Sequence, residues 1–240
     1  MEERVMSVDL KDISLSFGDL PVLEGLSLSF PENEISVVLG PSGCGKTTIL
    51  NVLTSSIKPS WGSVEGIEKI RFSYLFQEPR LLPWLTVEGN LKFVLDDIED
   101  KGEREELCSL FLDMTGLSDY ASWYPGKLSG GMRQRVAIAR AFAHPSDMIL
   151  MDEPFQGLDL KRKLSLIDQF TGLWEKEKRS AVMVTHDIGE AIKLADRVYV
   201  LTEKPARLAD SFTVDIPRGE REPGSPLYSE YEKRLYSLLS

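Results

Sequence analysis

No stretch of this 240-residue chain approaches the roughly 18 consecutive apolar residues that a membrane-spanning helix needs. Its start, Met1-Glu2-Glu3-Arg4, lacks the basic-then-apolar pattern of a secretory leader. A cytosolic chain is expected, with any membrane contact made through a partner. Cysteine is scarce: Cys44 and Cys108 are too few for a disulfide framework and read as reduced thiols. Positive charge is short as well. With 28 Lys and Arg against 38 Asp and Glu, the net charge of -10 argues against sequence-independent binding to nucleic acid. That mode needs a basic face to displace counterions from phosphates. The same charge leaves room for a local basic pocket around a nucleotide.

What is present is an alternation of strands and helices. Ile13, Leu15 and Phe17, then Leu26, Leu28 and Phe30, recur every second residue around Gly18-Asp19-Leu20-Pro21, which predicts antiparallel strands joined by a turn. A buried strand is expected at Ile35 to Leu39, followed by a glycine-rich loop and a helix over Thr47 to Leu53. Leu107, Leu110, Phe111 and Met114 repeat at helical spacing before Gly116, a helix stop. Residues 77–135 therefore read as a mostly helical insertion. Three apolar strands follow: Met148–Met151, Ala181–Thr185 and Val198–Leu201. They alternate with helices whose inner faces are expected at Leu164, Ile167, Thr171 and Trp174, and at Ile188, Ala191, Ile192 and Ala195. Such alternation implies right-handed crossovers and a mostly parallel sheet. A last helix, Pro226 to Ser240, would pack through Leu227, Tyr231, Leu235 and Leu238.

Gly40-Pro41-Ser42-Gly43-Cys44-Gly45-Lys46-Thr47 fits the phosphate-loop pattern, with a strand before it and a helix after it. Its glycines let successive N–H groups point inward at phosphate oxygens, and the helix adds its positive end. Lys46 can reach the β- and γ-phosphates, and the Thr47 hydroxyl can ligate Mg²⁺. This loop alone does not distinguish a kinase, a GTPase, a motor or a transporter.

Two further elements do. Leu128-Ser129-Gly130-Gly131-Met132-Arg133-Gln134-Arg135 precedes a helix, and Met148 to Met151 runs into Asp152-Glu153-Pro154. In this order the sequence resembles the nucleotide-binding subunits of ABC transporters over nearly its whole length. The resemblance implies an α/β P-loop NTPase core with a mostly parallel sheet, an N-terminal antiparallel β subdomain and an inserted helical subdomain. Residues 1–240 would form one such domain, with 1–76 and 136–240 as core and about 77–135 as insertion.

By the same resemblance, Gly40 to Thr48 hold ATP, and Asp152 serves Mg²⁺ together with Thr47 and Gln77. Glu153 polarises the attacking water, and His186, after Ala181 to Thr185, donates to the γ-phosphate. Ser129, Gly130 and Gly131 contact the γ-phosphate held by a second copy in a head-to-tail dimer; Ser129 also reads as a helix N-cap. Asp159, in Gly157-Leu158-Asp159, would cross the dimer interface, with an N-cap as the competing reading. Phe17 would stack on adenine or belong to the core. His144 reads as a loop residue. Pro79-Arg80-Leu81-Leu82-Pro83-Trp84 lies where membrane permease subunits would dock, although Trp84 could equally be buried. The run from Gln77 to Trp84 is similar to the nitrate, sulfonate and taurine importers, which places the chain on the cytoplasmic face of a membrane and a solute-binding protein upstream. A soluble ABC ATPase of translation or DNA repair is the alternative. A small-molecule kinase is a third reading, disfavoured by Asp152-Glu153-Pro154.

Overall fold

The computed structural model describes residues 7–239; the reading of Met1 to Arg4 and the end of the last helix at Ser240 lie outside them. In chain order the strands are β1 (Ser7–Phe17), β2 (Leu20–Pro31), β3 (Ile35–Leu39), β4 (Trp61–Glu65), β5 (Phe72–Leu75), β6 (Met148–Asp152), β7 (Ser180–Thr185), β8 (Arg197–Leu201) and β9 (Leu208–Thr213). The α-helices are α1 (Lys46–Leu53), α2 (Val87–Val94), α3 (Lys101–Met114), α4 (Gly130–Ala143), α5 (Leu160–Glu177), α6 (Ile188–Leu194) and α7 (Pro226–Leu239). Two units are distinguished: Arg71–Glu177, and the flanking segments up to Ile70 and from Lys178.

In the unit made of the flanking segments, β1 pairs antiparallel with β2 and with β4. Gly18 and Asp19 alone make the β1–β2 turn, since Phe17 pairs with Leu20 and Ser16 with Pro21. Gly18 takes φ 59°, the left-handed conformation that a two-residue hairpin requires. A bulge separates Leu10 from Ile13, with Asp12 at φ 51°. Ile13 and Leu15 are buried below it, whereas Phe17 emerges 52% exposed at the strand end. The exposed side of β4 carries little apolar pattern, so periodicity does not announce that strand.

The same unit holds β3 between two parallel neighbours, β7 and β8, with β9 antiparallel beyond β8. All residues of β3 and β7 are buried, as strands covered on both faces must be. Asp196 locks the start of β3: its Oδ2 accepts from the Ile35 N–H at 2.8 Å and from Arg218 Nη2 at 2.5 Å. Of the expected inner face of α6, Ala191, Ile192 and Ala195 are buried and Ile188 is half-buried. In α7 the buried residues are Tyr228 and Leu235, while Leu227 is exposed. The expected face was one residue out of phase at its start.

Arg221 closes the end of α6. It is 2% exposed, and its guanidinium donates to the carbonyls of Ile192, Ala195, Ile216 and Val214 at 2.7–3.3 Å. A helix end leaves its last carbonyls without partners, and a cation there also meets the negative end of the dipole. Arg221→Met should therefore cost roughly 2–4 kcal/mol of stability, since it orphans several buried acceptors. Urea unfolding measures this, and a cost below about 1 kcal/mol would contradict the role.

In the unit Arg71–Glu177, β5 and β6 run parallel with Leu75 opposite Met151. Helices α2, α3 and α4 pack together there. The α3 face is formed by Cys108, Phe111 and Leu112, with Leu110 46% exposed, contrary to the expected face. Gly116, at φ 64°, does follow the helix end. In α5 the buried residues are Leu166, Ile167, Phe170, Leu173 and Trp174. Leu164 is exposed, and Thr171 turns its hydroxyl to the Ile167 carbonyl at 2.8 Å. Both cysteines are free and buried.

Candidate functional site

The loop from Gly40 to Gly45 leaves the carboxyl end of β3. Gly43 and Gly45 take φ 76° and 124°, values that L side chains rarely adopt. At Gly45 a Cβ would also sit 2.9 Å from Val22 Cγ1, so an alanine there is excluded twice. Gly40 donates its N–H to the Thr185 carbonyl at 3.3 Å. Helix α1 starts at Lys46 without a side-chain cap and without an acidic residue in its first turn. The positive end of the helix dipole therefore faces the loop with no side chain of the first turn opposing an anion there.

Lys46 is 4% exposed, and its Nζ donates to the carbonyls of Gly40 and Pro41, both at 2.9 Å. The ammonium is thus held at the lip of the loop, where a phosphate can replace one of these carbonyls. Cys44 turns its side chain into the core, and burial pushes its thiol up from the ordinary value. Only its backbone is placed to meet phosphate. Thr47 is exposed and Thr48 half-buried.

His186 follows β7 directly. Because Leu39 pairs with Thr185, the phosphate loop and His186 leave the carboxyl ends of adjacent strands in one unit. That end of an α/β sheet is where ligands bind. Beneath it, the Thr185 hydroxyl donates to Glu190 at 2.6 Å, and Asp187 caps α6 by accepting from the Glu190 N–H at 3.0 Å. Phe17 belongs to the same unit; its exposure rules out the core alternative.

The unit Arg71–Glu177 carries the carboxylates. Asp152 ends β6 and Glu153 follows at φ 44°, a conformation that costs a non-glycine residue of order 1 kcal/mol or more. The turn after it is closed by the Gln156 N–H donating to the Glu153 carbonyl at 3.2 Å. Gln77 donates from Nε2 to Gln156 Oε1, which ties the residue after β5 to the loop after β6. From α4, buried Gln134 donates to the Pro154 carbonyl at 2.5 Å. Arg140 donates to the carbonyls of Pro79 and Arg80, each at 2.9 Å. On β5, burial first and then the Asp152 charge raise the Tyr74 phenol above its usual value.

Gln134 and Gln156 were not found by sequence reasoning. No signal in the sequence marked either.

Ser129 caps α4, its Oγ accepting from the Met132 N–H at 3.3 Å. Ser129, Gly131 and Met132 line a cavity of about 540 Å³ together with Arg135, Lys161 and Arg162. Three cations around one helix tip suit an anion, and they stand out in a chain of net charge -10. Asp159 caps α5, accepting from the Arg162 N–H at 3.1 Å and pairing with Arg162 Nε at 3.2 Å. Trp84 is 70% exposed, so it belongs to the surface. His144 is the residue at the carboxyl cap of α4.

Among the described residues no group of three or more His, Cys, Asp or Glu could hold a metal alone. The Thr47 hydroxyl, the Asp152 carboxylate and the Gln77 amide are hard oxygen donors of the kind Mg²⁺ takes when most of its shell comes from nucleotide and water. The donor chemistry fits.

A family model described as ABC transporter matches residues 23–156. An aliphatic sulfonates import ATP-binding protein of Agrobacterium fabrum is 40% identical over 240 residues, covering 99% of this chain and 85% of that protein. An uncharacterized ABC transporter ATP-binding protein of Methanocaldococcus jannaschii is 39% identical over 227 residues, covering 90% of this chain and 84% of that protein. Among solved structures, a dimeric ATP-binding cassette in a post-hydrolysis state, bound to ADP and Pi, superposes with a TM-score of 0.73 at 28% identity, covering 88% of this chain and 100% of that one. With a phosphate loop, an acidic strand end and a capped Ser-Gly-Gly helix tip on one α/β scaffold, the chain belongs to the ABC transporter family.

Proposed function

We propose that the chain is the ATP-binding and ATP-hydrolysing subunit of an importer, in which two copies close head to tail around two ATP molecules. One observation carries the reading. The uncapped start of α1 and the cation-lined tip of α4 are two anion-seeking helix ends, set in different units of one acidic chain. A triphosphate held by the loop of one copy and covered by the tip of the other uses both.

In this reading Gly40 to Thr48 cradle the phosphates, Lys46 meets the β- and γ-oxygens, and Phe17 stacks on adenine. Thr47, Asp152 and Gln77 hold Mg²⁺, whose charge when bound offsets that of the phosphates. Glu153 takes the proton of the attacking water, and His186 donates to the γ-phosphate. Ser129, Gly130, Gly131 and Asp159 reach across to the second copy. ATP shifts the population toward the closed pair because the bridging contacts exist only there. Hydrolysis removes the bridge. The whole chain is one ATPase domain, and residues 77–135 act as the helical part that passes the motion to permease subunits.

The exposed Trp84 beside Pro79 to Pro83 is the anchor offered to those subunits. No helix among the described residues is long and apolar enough to cross a membrane, so attachment at the cytoplasmic face goes through the permease. The names of the sulfonate relatives support a small sulfonate-like solute, delivered by a solute-binding protein and never touched by the ATPase. Capture of the tagged chain from detergent-solubilised membranes tests the reading. A polytopic membrane partner is expected; ribosomes or DNA would support the translation or repair alternative instead.

The tip has its own test. Ser129→Glu places a carboxylate where the second copy's γ-phosphate arrives, so ATP-driven dimerisation should be lost in light scattering. Binding of a fluorescent ADP to the phosphate loop of the same variant should stay within about twofold, because that loop belongs to the other unit.

A further inference from the structure

We propose that Glu190 is a positioning residue for His186: acting through the Thr185 hydroxyl, it fixes the backbone on both sides of that histidine and so aims the imidazole at the γ-phosphate. The inference rests on the assignment of His186 to the γ-phosphate and adds the residues that act on it.

His186 is the one residue between the end of β7 at Thr185 and Asp187, the N-cap of α6. It is exposed, so its direction depends more on the backbone that carries it than on packing. That backbone is pinned by a hydrogen bond that spans it: the Asp187 N–H donates to Thr185 Oγ1 at 3.1 Å. A threonine hydroxyl that accepts from the N–H two residues on closes a tight local turn.

Glu190 decides which way that hydroxyl faces. A hydroxyl has one proton and two lone pairs, and it rotates to suit its partners. Here the proton goes to Glu190 Oε2 at 2.6 Å, which leaves the lone pairs for Asp187. The Glu190 N–H in turn donates to Asp187 Oδ1 at 3.0 Å. In an ordinary capping box the glutamate would reach the N-cap N–H itself. In this chain the Thr185 hydroxyl stands between them, and the inserted group draws the strand end into the cap. Helix stability alone asks only for the direct contact.

The network is buried and touches the phosphate loop. Thr185 is 1% exposed and Glu190 3%. Where water is excluded, hydrogen bonds are stronger and a missing partner costs more. The Thr185 carbonyl also accepts from the Gly40 N–H at 3.3 Å, at the start of the loop that would hold the phosphates. One residue thus sets the backbone of the loop and that of His186 against each other.

Thr185→Val keeps the branched shape and deletes the hydroxyl. Glu190→Gln keeps the volume and replaces a charged acceptor with a neutral one, about half as strong. The chain holds two histidines, so NMR of the imidazole Cε1–H groups in the untagged protein gives one signal for His144 and one for His186. Loss of a signal in His186→Ala identifies the second. In wild type, MgATPγS should displace the His186 signal further than MgADP does. That extra displacement should fall by about half or more in Thr185→Val and by less in Glu190→Gln. Turnover at saturating MgATP should fall about 10- to 100-fold in Thr185→Val, the cost of a small misplacement, with ADP affinity within about twofold. Thr185→Ser, which restores the hydroxyl, should recover most of that turnover. A wild-type His186 response and wild-type turnover in either variant would overturn the proposal. So would a loss of ADP affinity as large as the loss of turnover, because the network would then support the fold rather than the histidine. If MgATPγS and MgADP displaced the wild-type signal equally, the assignment of His186 would itself fall, and the inference with it.

Discussion

Glu153→Gln should bind MgATP with near wild-type affinity and hydrolyse it about 10²- to 10⁴-fold more slowly, the range that a positioned general base contributes. The glutamine side chain matches the carboxylate in shape and can still hydrogen-bond to water, but it cannot take a proton. The backbone should tolerate the change, because the strained φ of 44° is set by the Gln156 turn and by the anchor of Pro154 on Gln134 rather than by the carboxylate. If bridging ATP holds two copies together and only hydrolysis releases them, the variant should also accumulate as an ATP-bound dimer. Light scattering with MgATP would show a doubled mass for Glu153→Gln and a smaller dimer fraction for wild type. Steady-state turnover within about threefold of wild type would remove Glu153 from the chemistry and leave a different base to be found.

The chemistry was far more legible in the sequence than the packing. Gly43, Gly45 and Lys46 could be placed because their roles follow from backbone freedom and charge, which do not depend on distant residues. Buried faces depend on which neighbour arrives. Leu164 and Leu227 are apolar and at helical spacing, yet α5 buries the arc from Leu166 to Trp174 and α7 turns Tyr228 inward. A stripe read from apolar residues alone shifts by one position when a tyrosine or phenylalanine supplies part of it. Likewise β4 and β9 are mostly exposed, so they gave no period-two signal. Within the candidate site, the primary groups were visible and their supports were not. Gln134 and Gln156 act through hydrogen bonds that span 20 and 79 positions of sequence, and an isolated amide does not declare its partner.

Lys46→Ala should abolish useful nucleotide binding while leaving the fold intact. The ammonium is buried, and in the absence of phosphate it donates to Gly40 and Pro41. Exchanging a carbonyl for a phosphate oxygen replaces a neutral acceptor with a charged one, and charge-assisted hydrogen bonds are about twice as strong. Truncating one partner of such a buried charged contact costs about 2–5 kcal/mol, a rise of roughly 30- to 4,000-fold in the dissociation constant. Ligand-linked unfolding reads this directly. At MgADP equal to 100 times the wild-type dissociation constant, the wild-type chain should gain about 2.7 kcal/mol of stability. A variant weakened 100-fold would gain only about 0.4 kcal/mol under the same conditions. The unliganded variant should stay within about 1–2 kcal/mol of wild type, because Gly40 and Pro41 lose their donor beside a loop open enough for water to replace it. If MgADP stabilised both chains equally, the ammonium would not be reading phosphate, and the glycine loop and the uncapped turn of α1 would have to hold the nucleotide alone.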